Sequence, residues 1–214
     1  MVDIKKYDLP DFNLFYDQKK ETDFFFWIPD DYYVVLGNSN KPNENLNYEN
    51  IVSDGVTVYK RPSGGETVIL TPQTLVIAIK VTLDRFLNPS RHFRYFNNKI
   101  IEGLQTLGVE NAFYKGISDI ALGEKKILGS SIYRKRNIVF YHAVLNVSES
   151  IETIERYIKH PTKEPDYRKG RKHREFVTSL HEAGFLFTME QLKSSLSQQC
   201  ATINENEIEA LSNS

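Results

Sequence analysis

The stretch SDIALGEKKILGSSIYRKRNIVFYHAVLNV, residues 118–147, decides the fold. Its β-branched and aromatic residues favour strands, and Gly123-Glu124 supplies a tight turn between two of them. The apolar run 138–147 reads as a long central strand, so the whole stretch is a meander. Upstream, residues 91–107 place Phe93, Phe96, Ile100, Ile101, Leu104 and Leu107 at spacings of three and four. That predicts a helix with one apolar face, stopped by Gly108. Before it, 75–81 is apolar apart from Lys80, 56–60 alternates with period two, and 67–70 is again strand-like. The cluster Arg61-Pro62-Ser63-Gly64-Gly65-Glu66 lies between the last two, which predicts an antiparallel sheet with a glycine turn at its tip. Residues 23–28 and 32–36 read as strands separated by Pro29-Asp30-Asp31. Between them and residue 56, Asn38, Asn40, Asn43, Asn45, Asn47 and Asn50 predict a loop, either a solvated connector or part of a site. Downstream, 151–158, 175–185 and 189–199 read as helices, and the polar residues from about 203 as a tail free to fray.

Composition sets the limits. With 214 residues and no internal repeat or linker, the economical expectation is a single α+β catalytic-sized domain. It would hold a mixed, mainly antiparallel β-sheet flanked by helices. A formal net charge of −1 argues against wholesale binding to nucleic acid or a membrane surface. One cysteine, Cys200, excludes an internal disulfide or a multi-cysteine zinc site and favours a reducing, cytoplasmic compartment. No apolar run reaches the length of a membrane span.

Chemistry has several candidate places. Paired Gly64 and Gly65 let a ligand lie against backbone, and Arg61 could orient a carboxylate or phosphate; the competing reading is a hairpin turn. The cluster matches neither a Walker loop nor a dinucleotide fingerprint. Lys125 and Lys126 point to opposite faces of an alternating strand, so one is directed inward, where it would want an anion; a solvated hairpin lysine is the commoner fate. Asp119 has the chemistry to hold magnesium, and His142 lies in an apolar run where core histidines are usual. Residues 159–174 are strongly basic, fitting a solvated face, an RNA contact or the docking of an acidic protein.

In their order along the chain, these segments resemble the lipoate–protein ligase A family of the biotin/lipoate ligase superfamily. The resemblance rests on Arg61-Pro62-Ser63-Gly64-Gly65, on Ser118-Asp119-Ile120 followed by Lys126-Ile127-Leu128-Gly129-Ser130-Ser131 and Arg134, and on Arg171 to His173 before Phe176-Val177-Thr178-Ser179-Leu180. Gly37-Asn38 to Pro42 is similar to a further family loop, and coverage runs from about residue 30 to 185. The chain departs from the family pattern at Glu66, where a third glycine is usual, and at Leu70-Thr71, where His-Asp is usual.

The resemblance implies a ligase that activates lipoate or octanoate with ATP and Mg2+ to an acyl-AMP, then passes the acyl group to a carrier lysine. The carriers implied are 2-oxoacid dehydrogenase E2 subunits or the glycine cleavage H protein. It implies Lys126 as the catalytic residue, bridging acyl carbonyl and phosphate. Arg61, Ser63, Gly64, Gly65, Asp119, Gly129, Ser130, Arg134 and His142 would contact substrate, Asp119 also placing magnesium or the ribose. Relatives that move octanoyl groups use a cysteine nucleophile. None precedes Lys126 or Val177-Thr178 here, so no cysteine nucleophile is expected. The accessory C-terminal domain of many family ligases is not expected within this sequence. The alternatives are therefore a lipoyltransferase using preformed lipoyl-AMP or a separate accessory subunit, an octanoyl or biotin transferase, and a non-catalytic lipoate-binding homologue. Nucleic acid and membrane are not expected partners.

Overall fold

A computed structural model describes residues 2–84 and 88–210. Its strands are β1 (Ile4–Lys6), β2 (Thr22–Trp27), β3 (Tyr33–Leu36), β4 (Thr57–Lys60), β5 (Val68–Leu70), β6 (Thr74–Thr82), β7 (Ala112–Lys115), β8 (Asp119–Leu122), β9 (Lys125–Lys135) and β10 (Ile138–Asn146). The helices are α1 (Asn13–Tyr16), α2 (Pro42–Asn45), α3 (Tyr48–Asp54), α4 (Pro89–Thr106), α5 (Ile151–Tyr157), α6 (His173–Phe176), α7 (Met189–Cys200) and α8 (Glu205–Ala210). The fold is α+β, with an antiparallel six-stranded sheet in the order β2-β6-β10-β9-β8-β7 and a mixed four-stranded sheet in the order β1-β4-β3-β5.

Strand β10 is central because both of its faces are apolar and both are covered. Tyr141, Ala143 and Leu145 point into a core closed by α4, α7 and α8 through Phe96, Ile100, Leu192, Leu196 and Ile208. Phe140 points the other way, into a second core with Tyr7, Phe12 and Phe15 of the N-terminal segment and Leu70 of β5. A third cluster, including Leu36, Ile51, Val58 and Ile158, packs the small sheet against α3 and α5. The six-stranded sheet is thus the middle layer, and the small sheet lies over the face away from α4. Among the described residues no helix is long and apolar enough to cross a membrane.

Several expectations change in the structure. Strands β4 and β5 do not pair with each other; β3 lies between them, parallel to β4 and antiparallel to β5. The glycine cluster is therefore a crossing over the end of β3 rather than a hairpin tip. Likewise β2 and β3, neighbours in sequence, belong to different sheets. The expected helix at 175–185 stops at Phe176, because Val177 is extended, bridges to Lys126, and is followed by Thr178 donating its N–H to the Lys126 carbonyl at 3.0 Å. Pairing to a sheet edge outcompetes a helix of modest propensity there. The asparagine-rich loop contains α2 and α3, with Asn40 and Asn45 buried. Past residue 203, where fraying is expected, α8 buries Ile208; residues 211–214 lie outside the described residues.

His92 is fully buried on α4 beside Phe96, and neither ring nitrogen has a hydrogen-bond partner among the described residues. Burial, helped by the charge of Arg134, pushes its pKa down to about 4. The folded protein keeps this ring neutral while the unfolded chain takes up a proton near pH 6.5, so stability is full above that pH and is lost as pH falls toward 4. At pH 5 the expected loss is about 2 kcal/mol from this one group. Thermal melts of the wild type should fall between pH 7 and 5, and those of His92→Phe should fall measurably less.

Candidate active site

Sheet register assembles the floor of the site. Val144 of β10 faces Val76 of β6 on one side and Gly129 of β9 on the other, and Gly129 faces Asp119 of β8. These four residues form one row across the sheet, apolar at β6 and β10, bare at Gly129, and acidic at β8. The next row on the same face is Ala78, His142 and Ser131. Both rows line a cavity of about 560 Å³, except for Ala78, which the wall covers. A cavity of that size suits a small organic ligand.

Lys126 reaches this floor through a β-bulge. Pairing of β8 with β9 slips between Ile120 and Ala121, so that Ala121 pairs with Lys126 and Ile127 has no partner. The extra residue breaks the alternation and turns Lys126 onto the face of Gly129 and Asp119. Its ammonium makes an ion pair with Asp119 Oδ1 at 2.8 Å, and a Cβ on residue 129 would lie only 2.6 Å from Nζ. Gly129 therefore leaves room for the Lys126 ammonium, and it also lines the cavity. Tyr167 donates its hydroxyl to Asp119 Oδ2 at 2.8 Å, and burial plus that carboxylate hold the phenol neutral. Lys125, on the opposite face, pairs with Glu182 instead.

The crossing over β3 has a different organiser. Arg61 is buried, and its guanidinium donates Nε–H to Ser63 Oγ (3.1 Å), Nη1 to the Val35 carbonyl (3.2 Å), and Nη2 to the carbonyls of Gly64 (2.7 Å) and Glu66 (2.9 Å). Of five N–H groups only one, on Nη1, is left for anything else. The arginine expected to grip a carboxylate or phosphate thus folds its own loop. Burial lowers its pKa to about 10, which leaves it charged at neutral pH. Gly65 adopts φ +86° and lines the cavity, whereas Gly64 faces open space outside it. The glycine that close packing requires is Gly37, where a Cβ would meet the Gly65 carbonyl oxygen at 1.9 Å. Asn40 completes the clasp, accepting from the Gly37 N–H at 2.9 Å and from Thr67 at 3.2 Å.

Behind the floor lies a buried polar chain. Ser63 Oγ is 2.7 Å from His142 Nε2 and 3.0 Å from Ser131 Oγ, and His142 Nδ1 is 3.4 Å from Asp11 Oδ2. Tyr7 donates its hydroxyl to both oxygens of Asp11. Burial is the main reason the His142 pKa is depressed, with Arg61 adding to it and Asp11 opposing it. So Ser63 supports the wall from behind, while Arg61, Gly65, Asp119, Lys126, Gly129, Ser130 and His142 all reach the cavity. Arg134 does not; it sits further along β9, paired in register with Val139, and its charge acts on His92. Cys200 is buried in the helical core, its thiol pushed up to about 12, and takes no part in the site.

Other lining residues stood out in the sequence without a role in the site. Glu66 enters the cavity wall with its carboxylate near the Nδ2 groups of Asn40 (3.3 Å) and Asn45 (3.5 Å), and burial raises its pKa. His173 also lines the cavity, driven down to about 4 by burial and the nearby Arg168. Lys159, Lys163 and Arg168 bring part of the basic segment onto the same wall. The surroundings of Asp119 do not fit a resident magnesium site: both its oxygens are engaged by Lys126 and Tyr167, and no group of three His, Cys, Asp or Glu among the described residues could hold a metal. What the arrangement offers is an ammonium held over bare backbone where an apolar strip meets a polar end. That suits a ligand with an apolar tail and an anionic head.

Comparison with known proteins points in one direction. The sequence profile of the lipoyl protein ligase A/B catalytic domain matches residues 12–201. Lipoate–protein ligase 1 of Staphylococcus aureus is 28% identical over 142 residues, which is 65% of this chain and 42% of that protein. The match thus spans about two fifths of that relative's length. Among solved structures, the bipartite lipoate protein ligase of Thermoplasma acidophilum, described with its E2 lipoyl domain, superposes with a TM-score of 0.76 at 18% identity, covering 99% of this chain and 90% of the other. A lipoate-protein ligase A bound with ATP superposes with a TM-score of 0.74 at 18% identity, covering 100% and 91%. At these identities the superpositions show the shared fold.

Gly37→Ala should force the crossing loop away from β3, since the obstructing atom is backbone. The expected cost is about 1–3 kcal/mol, read from urea unfolding. Gly64→Ala, which has room, should change stability by less than about 0.5 kcal/mol in the same measurement.

Proposed function

The chain belongs to the lipoyl protein ligase A/B catalytic domain family, and on that premise we propose that it attaches a lipoyl-type acyl group to a lysine of a carrier domain through an acyl-adenylate. The observation that carries the reading is Lys126, whose ammonium lies over Gly129 between the apolar strip of Val76 and Val144 and the carboxylate of Asp119. The apolar strip suits the acyl chain. The ammonium stands where the carboxyl head would lie, and where negative charge grows in both steps.

In the first step a carboxylate oxygen attacks the α-phosphorus of ATP, the new O–P bond replaces the bond to pyrophosphate, and a poor leaving group becomes a good one. In the second, a lysine amine of the carrier attacks the acyl carbon, the C–O bond to AMP breaks, and AMP leaves with the electron pair. Lys126 serves both steps by electrostatic stabilisation, and the cavity serves them by orientation. Asp119 keeps the ammonium in place, and Tyr167 in turn fixes Asp119. The likeness to a ligase bound with ATP and to one described with an E2 lipoyl domain supports this choice of co-substrate and partner.

A second reading is favoured by a specific observation. The Thermoplasma relative is bipartite, and this chain spans about two fifths of the Staphylococcus ligase. Under that reading the chain transfers preformed lipoyl-AMP and relies on a separate piece for adenylation.

One experiment with two arms separates the readings. The protein is incubated with an isolated lipoyl domain and either lipoate, ATP and Mg2+ or synthetic lipoyl-AMP, and the carrier is weighed by mass spectrometry. Gain of one lipoyl mass in both arms is expected; gain in the second arm alone selects the transferase, and gain in neither overturns the proposal. Lys126→Ala should slow the second arm by at least about 10²-fold, the scale of losing one preorganised charge-stabilising donor. Gly129→Ala, which dislodges the ammonium by steric contact, should slow it in the same direction.

A further inference from the structure

We infer that Asp11, His142, Ser63 and Ser131 form a directed hydrogen-bond relay that makes Ser131 Oγ the proton acceptor for the amine attacking in the cavity. The inference rests on the reading that the cavity holds an acyl-adenylate. The direction of every bond follows from what each group can donate. A carboxylate only accepts, and Asp11 already accepts from Tyr7, so the proton between Asp11 and His142 belongs on Nδ1. That leaves the Nε2 lone pair facing Ser63 at 2.7 Å, so the Ser63 hydroxyl donates to it. Ser63 Oγ then has two lone pairs; one receives Arg61 Nε–H at 3.1 Å and the other receives the Ser131 hydroxyl at 3.0 Å. With its proton committed inward, Ser131 presents only lone pairs to the cavity it lines.

A wall that only accepts is suited to an incoming N–H. When the carrier amine bonds to the acyl carbon, its nitrogen becomes cationic and must shed a proton. Here that proton passes to Ser131 Oγ, the Ser131 proton to Ser63 Oγ, and the Ser63 proton to His142 Nε2. The resulting imidazolium faces Asp11, while AMP leaves with the electrons of the broken C–O bond. Nothing outside the relay is consumed. Burial keeps His142 neutral and ready to accept at neutral pH. The titratable groups facing the ring are Asp11 and Tyr7 from the N-terminal segment and Arg61 from the crossing loop; its neighbours on β9 and β6 are Ser131 and Ala78. Asp11 touches no substrate and is a positioning residue, joined to His142 across 131 positions of sequence.

Single-turnover transfer from lipoyl-AMP to an isolated lipoyl domain tests the relay. Asp11→Asn keeps shape but turns an amide N–H toward Nδ1, which moves the ring proton to Nε2 and reverses the chain. Ser131→Ala removes its cavity end with little demand on folding. Both should lower the rate by about 10²-fold, the scale of general-base assistance, with the KM for lipoyl-AMP within about twofold of wild type. The wild-type rate should fall on the acid side with a midpoint below 6.5, and His142→Gln should abolish that limb. 15N spectra should show the Nδ1–H tautomer of His142 in wild type and the Nε2–H tautomer in Asp11→Asn. Wild-type rates and an unchanged pH profile in Asp11→Asn and Ser131→Ala would overturn the relay and leave the proposed function standing. So would an Nε2–H tautomer in the wild type. A wild type that transfers nothing from lipoyl-AMP overturns both.

Discussion

A buried arginine shapes the loop through which the small sheet meets the large one, because Ser63 of that loop touches Ser131 and His142. Arg61 follows β4 and spends three of its N–H groups on the loop that carries the chain over β3 and down into β5, and a fourth on the Val35 carbonyl of β3. Taking a guanidinium out of water costs several kcal/mol, and hydrogen bonds to a charged group return about 1.5–3 kcal/mol each. Four such bonds to fixed partners are what make the crossing stable. Three consequences follow from it. Ser63 is placed behind the cavity wall, Gly65 is pressed against Gly37, and Glu66 is turned toward Asn40 and Asn45. A ligand arriving in the cavity meets a loop already shaped.

The second organiser is a single irregularity in an otherwise regular sheet. Without the bulge between β8 and β9, Lys126 would share a face with Leu128 and point away from Asp119 and Gly129. With it, the ammonium lies in the same row as the apolar residues of β6 and β10. The protein thereby brings a charge and an apolar strip into one line of four residues, which is the arrangement an amphiphilic acyl ligand needs. The ion pair with the buried Asp119 keeps that charge satisfied, while the Lys126 side chain itself stays partly exposed toward the cavity.

Much of this was legible from the chain alone. Periodicity located α4 and α7, turn chemistry located the break at Gly123-Glu124, and the motif around Lys126 singled out the lysine that does reach the cavity. The glycine cluster was found but misread in its geometry. Strand propensity is local, whereas the choice of β3 as partner for both β4 and β5 is not. For the same reason Arg61, a natural anion ligand by type, turned out to be spent on backbone carbonyls. Residues 177–184 had helical spacing but were captured by the edge of β9 at Lys126 and by the end of β10.

The sequence by itself determined the long helices α4 and α7 and most of the strands, which lysine carries a glycine–serine motif after it, and that no cysteine stands near that lysine. Those features depend on residues a few positions apart, and local patterns encode them. Only the tertiary structure decided that Asp11 meets His142, that Ser63 meets Ser131, and that Val76, Val144, Gly129 and Asp119 share a row. Those juxtapositions depend on register and on one unpaired residue in β9. A one-residue slip moves every side chain of a strand to the other face, so they are set by how strands pair and not by what each strand contains.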